Sequence, residues 1–335
     1  MINRFISNTK IALLTIFTLI ATTCGVFATE IHISKTSKLA TIQPLLYKTV
    51  ELLPKFAAKH GIKDLKVVLD EVTNASTAND SLLLGRLDIV IGGINGYSPI
   101  LEKDPSKLVL LSGWETFDFW LVCADPNIKK ITDIGPNDKI MVKSLNAGEQ
   151  LMLRQYLAAE VGANQTEKLN NNLVILTREE AFQLMTADTP KLACAFLGSP
   201  LQNTIVAMKK AHIVSKPDNV KSFGFANISY TTAKWAKENP ELARAWIEAQ
   251  SEAIKEYTKD PVSAIKVYLN NDKVEDITPE DVLKMKKENN DTYDTSLKAA
   301  LSTLRLMYTS GTLKVDPDKM PDSQKVFDTK LVKIN

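Results

Sequence analysis

The sequence predicts an α/β protein of two domains, each built on a sheet with helices on both faces. Three observations predict it. The chain has 335 residues, too many for one compact core and a suitable number for two. Short apolar runs alternate with helical patterns in two successive sets, from Glu30 to Leu111 and from Trp120 to Val214. That rhythm is the one expected of parallel sheets covered by helices. After about Ser229 the pattern is helical only, so this region is expected to pack back onto an existing domain.

Residues 1–28 stand apart. Arg4 and Lys10 make a positive start, an almost wholly apolar run spans Ile11 to Ala21, and Val26-Phe27-Ala28 ends it in a small-x-small-like pattern. This is the layout of a cleaved secretory signal, too short for a membrane span of ~20 residues. Cys24 would admit lipid attachment, but Thr23 before it is a poor processing residue.

Each element then has its own signature. Glu30–Ser34 alternates polar and apolar residues as a strand does. Thr41 caps a helix whose Leu46, Val50, Leu53 and Ala57 share a face; Pro54 interrupts it and Gly61 stops it. Leu65–Glu71 is a strand. Thr77 with Asp80 starts a short helix closed by Gly85. Leu87–Gly92 and Leu108–Leu111 are buried strands.

In the second set, Lys139–Val142 is a strand, and Asn146 with Glu149 opens a helix to Val161 with Gly162 behind it. Leu173–Leu176 is a strand. Thr177 and Glu180 form a capping box for a helix ending before Pro190. Leu192–Phe196, a helix around Ile205–Lys210 and His212–Val214 complete the set. Helices are then expected over Ala233–Thr258, Pro261–Leu269, Pro279–Tyr293 and Asp294–Thr309.

Charge excludes one class of function. With Arg4 and Lys10 removed in the leader, 39 basic residues balance 39 acidic ones. A nucleic-acid binder would show a basic excess or stripe. Enzyme signals are equally thin. His32, His60 and His212 lack metal-ligand spacing, and no His-Glu-x-x-His, Cys-x-x-Cys, phosphate-binding loop or Gly-x-Ser-x-Gly elbow occurs. No cofactor, metal or catalytic residue is therefore expected. Cys123 and Cys194 lie in apolar, strand-like runs and read as small buried hydrophobes; an oxidising compartment permits a disulfide between them.

Asn79–Gly93 reads NDSLLLGRLDIVIGG, Lys143–Gly148 KSLNAG, Phe196–Pro200 FLGSP and Trp235–Ala245 WAKENPELARA. In their order and spacing these segments resemble the nitrate-, sulfonate-, taurine- and thiamine-precursor-binding proteins of ABC importers. The resemblance covers nearly the whole chain after the leader. It implies a two-lobed periplasmic-binding-protein-like (type II) fold, each lobe a sheet flanked by helices, joined by two hinge strands near Phe119–Ala124 and Phe225–Thr231. Lobe 1 is then 29–118 with 229–335, and lobe 2 is 119–228. It also implies a periplasmic monomer that captures a small solute in the cleft and hands it to an ABC transporter permease. A sensor clamp signalling through a partner and a pyrimidine-precursor synthase of related fold are the competing readings. The second lacks the required cysteine cluster.

Open sheets of this kind bind ligands beyond the carboxyl ends of their strands. That rule and the resemblance select Ser37, Lys38, Ser76, Thr77, Asn95, Trp114, Glu115, Ser144, Asn146, Ala147, Gly148, Glu149, Ser199 and Asn227. Ser144–Gly148 offers free helix-start amides, although Asn146 and Glu149 also read as plain capping. In the aromatic and acidic run Trp114–Trp120, Trp114 and Glu115 are the expected ligand contacts, while Phe117, Phe119 and Trp120 are expected in the core. Lys38 and Lys143 are the evident cations beside several carboxylates, which tilts the expectation from a small anion to a neutral or cationic solute, such as a pyrimidine.

Overall fold

The structure, a computed structural model, describes residues 29–36, 44–145, 148–217, 225–273, 277–309, 311 and 313–321. Residues 1–28, where a secretory leader is expected, with Cys24, and the candidates Ser37, Lys38, Asn146 and Ala147 lie outside the described residues.

The first half forms β1 (Glu30–Thr36), α1 (Pro44–Lys59), β2 (Lys66–Val72), α2 (Ala75–Leu83), β3 (Val90–Gly93), α3 (Ile94–Lys103) and β4 (Leu108–Phe117). Strands β1 and β2 pair in parallel, and a parallel bridge from Ile33 to Ile89 ties β1 to the segment entering β3. The chain then crosses to a second sheet and returns as β10 (Phe225–Thr232), which sits between β3 and β4 and runs antiparallel to both. The expectation of parallel sheets is thus corrected to mixed ones. The chain leaves along β4 and comes back along β10, so these two neighbours must run in opposite directions.

Both faces of this sheet are buried, which is why its strands read as nearly continuous apolar runs. Val109, Leu111, Ile89 and Ile91 pack toward α1 and the later helix α8 (Pro240–Lys259), while Leu108, Leu110, Val90, Ile228 and Tyr230 pack on the other side with α2 and α3. On the α8 side, Trp246 Nε1 donates to Ser229 Oγ (3.1 Å) and Gln250 Nε2 donates to the Gly113 carbonyl (2.7 Å). These bonds satisfy polar groups that burial would otherwise leave costly.

The second sheet has the order β7-β6-β8-β5-β9, with β5 at Leu121–Cys123, β6 at Ile140–Val142, β7 at Leu173–Ile175, β8 at Cys194–Ala195 and β9 at His212–Ser215. Strand β6 is parallel to β7 and β8, and β5 is antiparallel to β8 and β9. Helices α4 (Gly148–Val161), α5 (Arg178–Thr186) and α6 (Leu201–Ala207) connect them. The Thr177–Glu180 capping box is present on α5, and Gly162 ends α4 at φ 99°.

Four readings change in detail. Helix α2 begins at Ala75 with Asn74 as its N-cap, not at Thr77. The helix expected over 233–258 is two, α7 (Ala233–Glu238) and α8, because Pro240 has no N–H to continue α7 and suits a first helical position. After α9 (Pro261–Asp272), helix α10 stops at Glu288; Thr292–Tyr293 instead forms β11 on the outer edge of β4, before α11 (Lys298–Thr309). Cys123 and Cys194 are register partners across β5 and β8, and they form a disulfide rather than two free thiols. Their separation of 71 residues in sequence hid this neighbourhood.

Asp118–Trp120 makes the first crossing between the sheets, and the return runs between β9 and β10. Neither crossing strand belongs to both sheets: β5 pairs wholly in the second and β10 wholly in the first.

Candidate functional site

A cavity of about 270 Å³ lies between the sheets and takes side chains from both. From the first sheet come Asn74 at the start of α2, Asn95 in the first turn of α3, Glu115 on β4, Asn227 on β10, and Lys286 and Asp291 around the end of α10. From the second come Lys143, Ser144, Gly148 and Glu149 at the head of α4, Arg178 at the head of α5, and Gly198-Ser199 before α6. Phe117 and Phe119, at the crossing, close one side. The carboxyl ends of the strands and the starts of helices converge here, as the sheet rule requires.

Glu115 reaches this space by its position near the end of β4. Along β4, Val109 and Leu111 face the α1–α8 core. Strict alternation would send Glu115 there too. The pairing with β10 slips by one residue twice, leaving Leu111 and Trp114 as the extra residues. The first slip turns Ser112 and Trp114 toward α8, and the second restores the alternation, so Glu115 keeps the face of its partner Asn227, past the edge of that core. Trp114 thus turns to the core, stacked on Trp246 at 5.7 Å between ring centroids, and Glu115 lines the cavity.

Three charged groups share that wall. The Lys286 ammonium donates to Glu115 Oε1 at 2.9 Å and to Asp291 Oδ2 at 2.7 Å. Burial alone would lower Lys286, but Glu115 and Asp291 outweigh it and hold the ammonium well above its ordinary value. Burial pushes Asp291 up to about 7, against the pull of Lys286. Asn227 Nδ2 donates to Glu115 Oε2 at 3.2 Å. Asp291 Oδ1 is buried and accepts no hydrogen bond.

On the opposite wall, Arg178 Nη2 donates to Glu149 Oε1 at 3.2 Å, and the guanidinium carbon lies 5.2 Å from the centre of the Phe119 ring. Gly198 permits this. It adopts φ +66°, and a Cβ there would stand 3.1 Å from Arg178 Nη1. Gly148 and Glu149 at the head of α4 line the same half of the cavity.

The structure brings together Asn95, Glu115, Ser144, Gly148, Glu149, Ser199 and Asn227 from the expected set. It does not bring Trp114, which is buried in the core because its bulge faces α8. Ser76 and Thr77 are exposed on the first turn of α2, and their place at the cavity belongs to Asn74 and Ala75. The aromatic assignment reverses: Phe117 and Phe119 line the cavity, whereas Trp120 joins the core as expected. Arg178, Lys286 and Asp291 were missed. Arg178 was legible in part, since the capping box at Thr177 places it at a helix start. Lys286 and Asp291 carry no local signal, because α10 reaches the cavity only through tertiary packing.

Among the described residues, no group of side chains is placed to hold a metal ion, and no helix is long and apolar enough to cross a membrane. No protein-family model and no curated protein matches the sequence. Solved structures do. The chain is similar to the periplasmic aliphatic sulphonate-binding protein of Escherichia coli, at 13% identity over 91% of this chain and 94% of that one, with a TM-score of 0.63. It is similar to the periplasmic nitrate-binding protein of Synechocystis, at 14% identity, 90% and 88% coverage and a TM-score of 0.58. A conserved Candida albicans gene product, described as exhibiting the generic periplasmic binding protein fold, aligns at 12% identity, 92% and 97% coverage and a TM-score of 0.61.

Proposed function

Since the chain has the periplasmic-binding-protein fold, we propose that it is an extracytoplasmic solute-binding protein, which captures a small molecule between its lobes and delivers it to an ABC transporter permease. The observation that carries this is the cavity itself, walled by polar side chains from both sheets, with the crossing at Asp118–Trp120 as its hinge. A ligand that touches both walls stabilises the closed arrangement, and that difference in affinity is what shifts the population. The lobes are 29–118 with 229–335, and 119–228. The sulphonate- and nitrate-binding relatives in structure support the same role and a periplasmic location. So does the Cys123–Cys194 disulfide, since such bonds persist in oxidising compartments. The protein acts as a binder, without chemistry on its solute.

The test is thermal unfolding of the secreted protein against sulfonates, taurine, nitrate, pyrimidines, thiamine and polyamines. A ligand at about 100 times its Kd adds ~2.7 kcal/mol, a clear rise in midpoint. Turnover of a bound solute, or no shift together with no co-purified small molecule in native mass spectrometry, would sink the reading.

A further inference from the structure

We propose that the solute carries a protonated amine, or an amidinium of like charge, and that Asp291 receives its N–H group. This rests on the solute-binding reading and names the class of solute.

Asp291 lines the cavity with its side chain only 9% exposed. Its Oδ2 accepts from Lys286, and its Oδ1 accepts nothing. A buried carboxylate oxygen without a donor is costly, so a partner from outside the fold is called for. Two nearby protein amides are already engaged, and the buried Tyr293 hydroxyl donates to neither oxygen of Asp291. The Asn227 amide donates to Glu115, and the Asn290 amide donates to Asp118 Oδ2 at 2.9 Å.

The required partner is a cation rather than a hydroxyl because of the local charge. One ammonium, Lys286, faces two carboxylates, Glu115 and Asp291. When both are ionised the wall keeps one net negative charge where water is scarce, and a cationic N–H donor meets that charge as well as the empty lone pair.

The same geometry makes binding proton-linked. Burial raises the Asp291 carboxyl to about 7, Lys286 opposes it, and Glu115 and Asp118 add to the rise. Tyr293 and Tyr257 face the cluster from β11 and α8. A bound cation favours the ionised carboxyl, so it drives the proton off. Amine affinity is expected to be about tenfold higher at pH 8 than at pH 6, following the ionised fraction of a group that titrates near 7.

Isothermal titration of the full secreted chain, freed of bound solute, tests this with matched probes: β-alanine against propionate, and phenethylamine against phenethyl alcohol. At least one amine is expected to bind about tenfold or more tighter than its nitrogen-free counterpart, the ratio that one such contact supplies. Proton release should show as a binding heat that varies with the ionisation enthalpy of the buffer, and Asp291→Asn should abolish the preference. The pH dependence is read on the unaltered protein, so the outcome does not depend on that variant folding. Counterparts that bind as well as the amines, an unchanged preference in Asp291→Asn, or no binding by either amine overturns the proposal. Binding by propionate or the alcohol alone refutes the amine class and leaves solute binding intact. Silence from all four probes, with no co-purified solute in native mass spectrometry, removes both.

Discussion

At the scale of single residues, Gly198 and Asp291 decide how the cavity is charged. Gly198 holds a left-handed backbone at φ +66°, and its missing Cβ leaves room for Arg178. Gly198→Ala is expected to cost about 1–3 kcal/mol in denaturant unfolding, from backbone strain and the displaced guanidinium. An unchanged midpoint would remove that role. Asp291 carries the opposite kind of strain. Its folded-state value is raised from 3.8 to about 7. The stability that the carboxyl contributes is fully present only below about pH 4 and is lost as pH rises through 7. Asp291→Asn, which keeps an acceptor for Lys286, should therefore gain on the wild type as the medium becomes alkaline. At 1.36 kcal/mol per unit of pKa, the gain between pH 5.5 and pH 8 is roughly 2 kcal/mol. Thermal melts at the two pH values measure it, and a constant difference would contradict the placement of this carboxyl.

At the scale of elements, β4 and the β5–β8 pair show what pairing adds to pattern. The first slip of β4 against β10 turns Trp114 into the core, and the second restores the alternation, leaving Glu115 beyond that core in the cavity. The disulfide joins β5 to β8, whose ordered pairing is only Cys194–Ala195, next to the Phe196–Ser199 turn that carries Gly198. Reduction, or replacing both cysteines by alanine, is expected to lower stability by about 2–4 kcal/mol. Thiol titration of the unfolded, unreduced protein should find no free thiol from this pair, and two would refute the bond.

At the scale of the whole molecule, the end of α10 ties the two halves together. Gln202 Nε2 on α6 donates to Asn289 Oδ1 at 2.8 Å, and Asn203 Nδ2 donates to Glu288 Oε2 at 2.9 Å. Asp118 N, at the crossing, donates to the Asn289 carbonyl at 2.7 Å. Gln202, Asn203 and Asn289 are buried, so each lost bond leaves a polar group unmatched. Asn289→Ala is expected to cost about 1–3 kcal/mol and to widen the ligand-free molecule in small-angle scattering. An unaltered radius of gyration would show that these amides do not govern how the halves sit.

Periodicity and punctuation foretold most elements, because helix faces, capping boxes such as Thr177–Glu180 and terminal glycines such as Gly162 are local and leave marks within a few residues. They also foretold the α/β plan, and the strand-end rule together with the family resemblance chose seven residues that line the cavity. Direction and contact were beyond them. That β10 would enter the first sheet antiparallel, that a slip would turn Trp114 into the core, and that Cys123 would meet Cys194 all depend on which strand lies beside which. Lys286 and Asp291 sit more than 170 residues from Glu115 along the chain, close to the separation of 171 that the Lys286–Glu115 contact spans. Patterning acts over one turn or one strand, whereas these contacts arise only when packing closes the distance, so the charge of the cavity was decided by the tertiary fold.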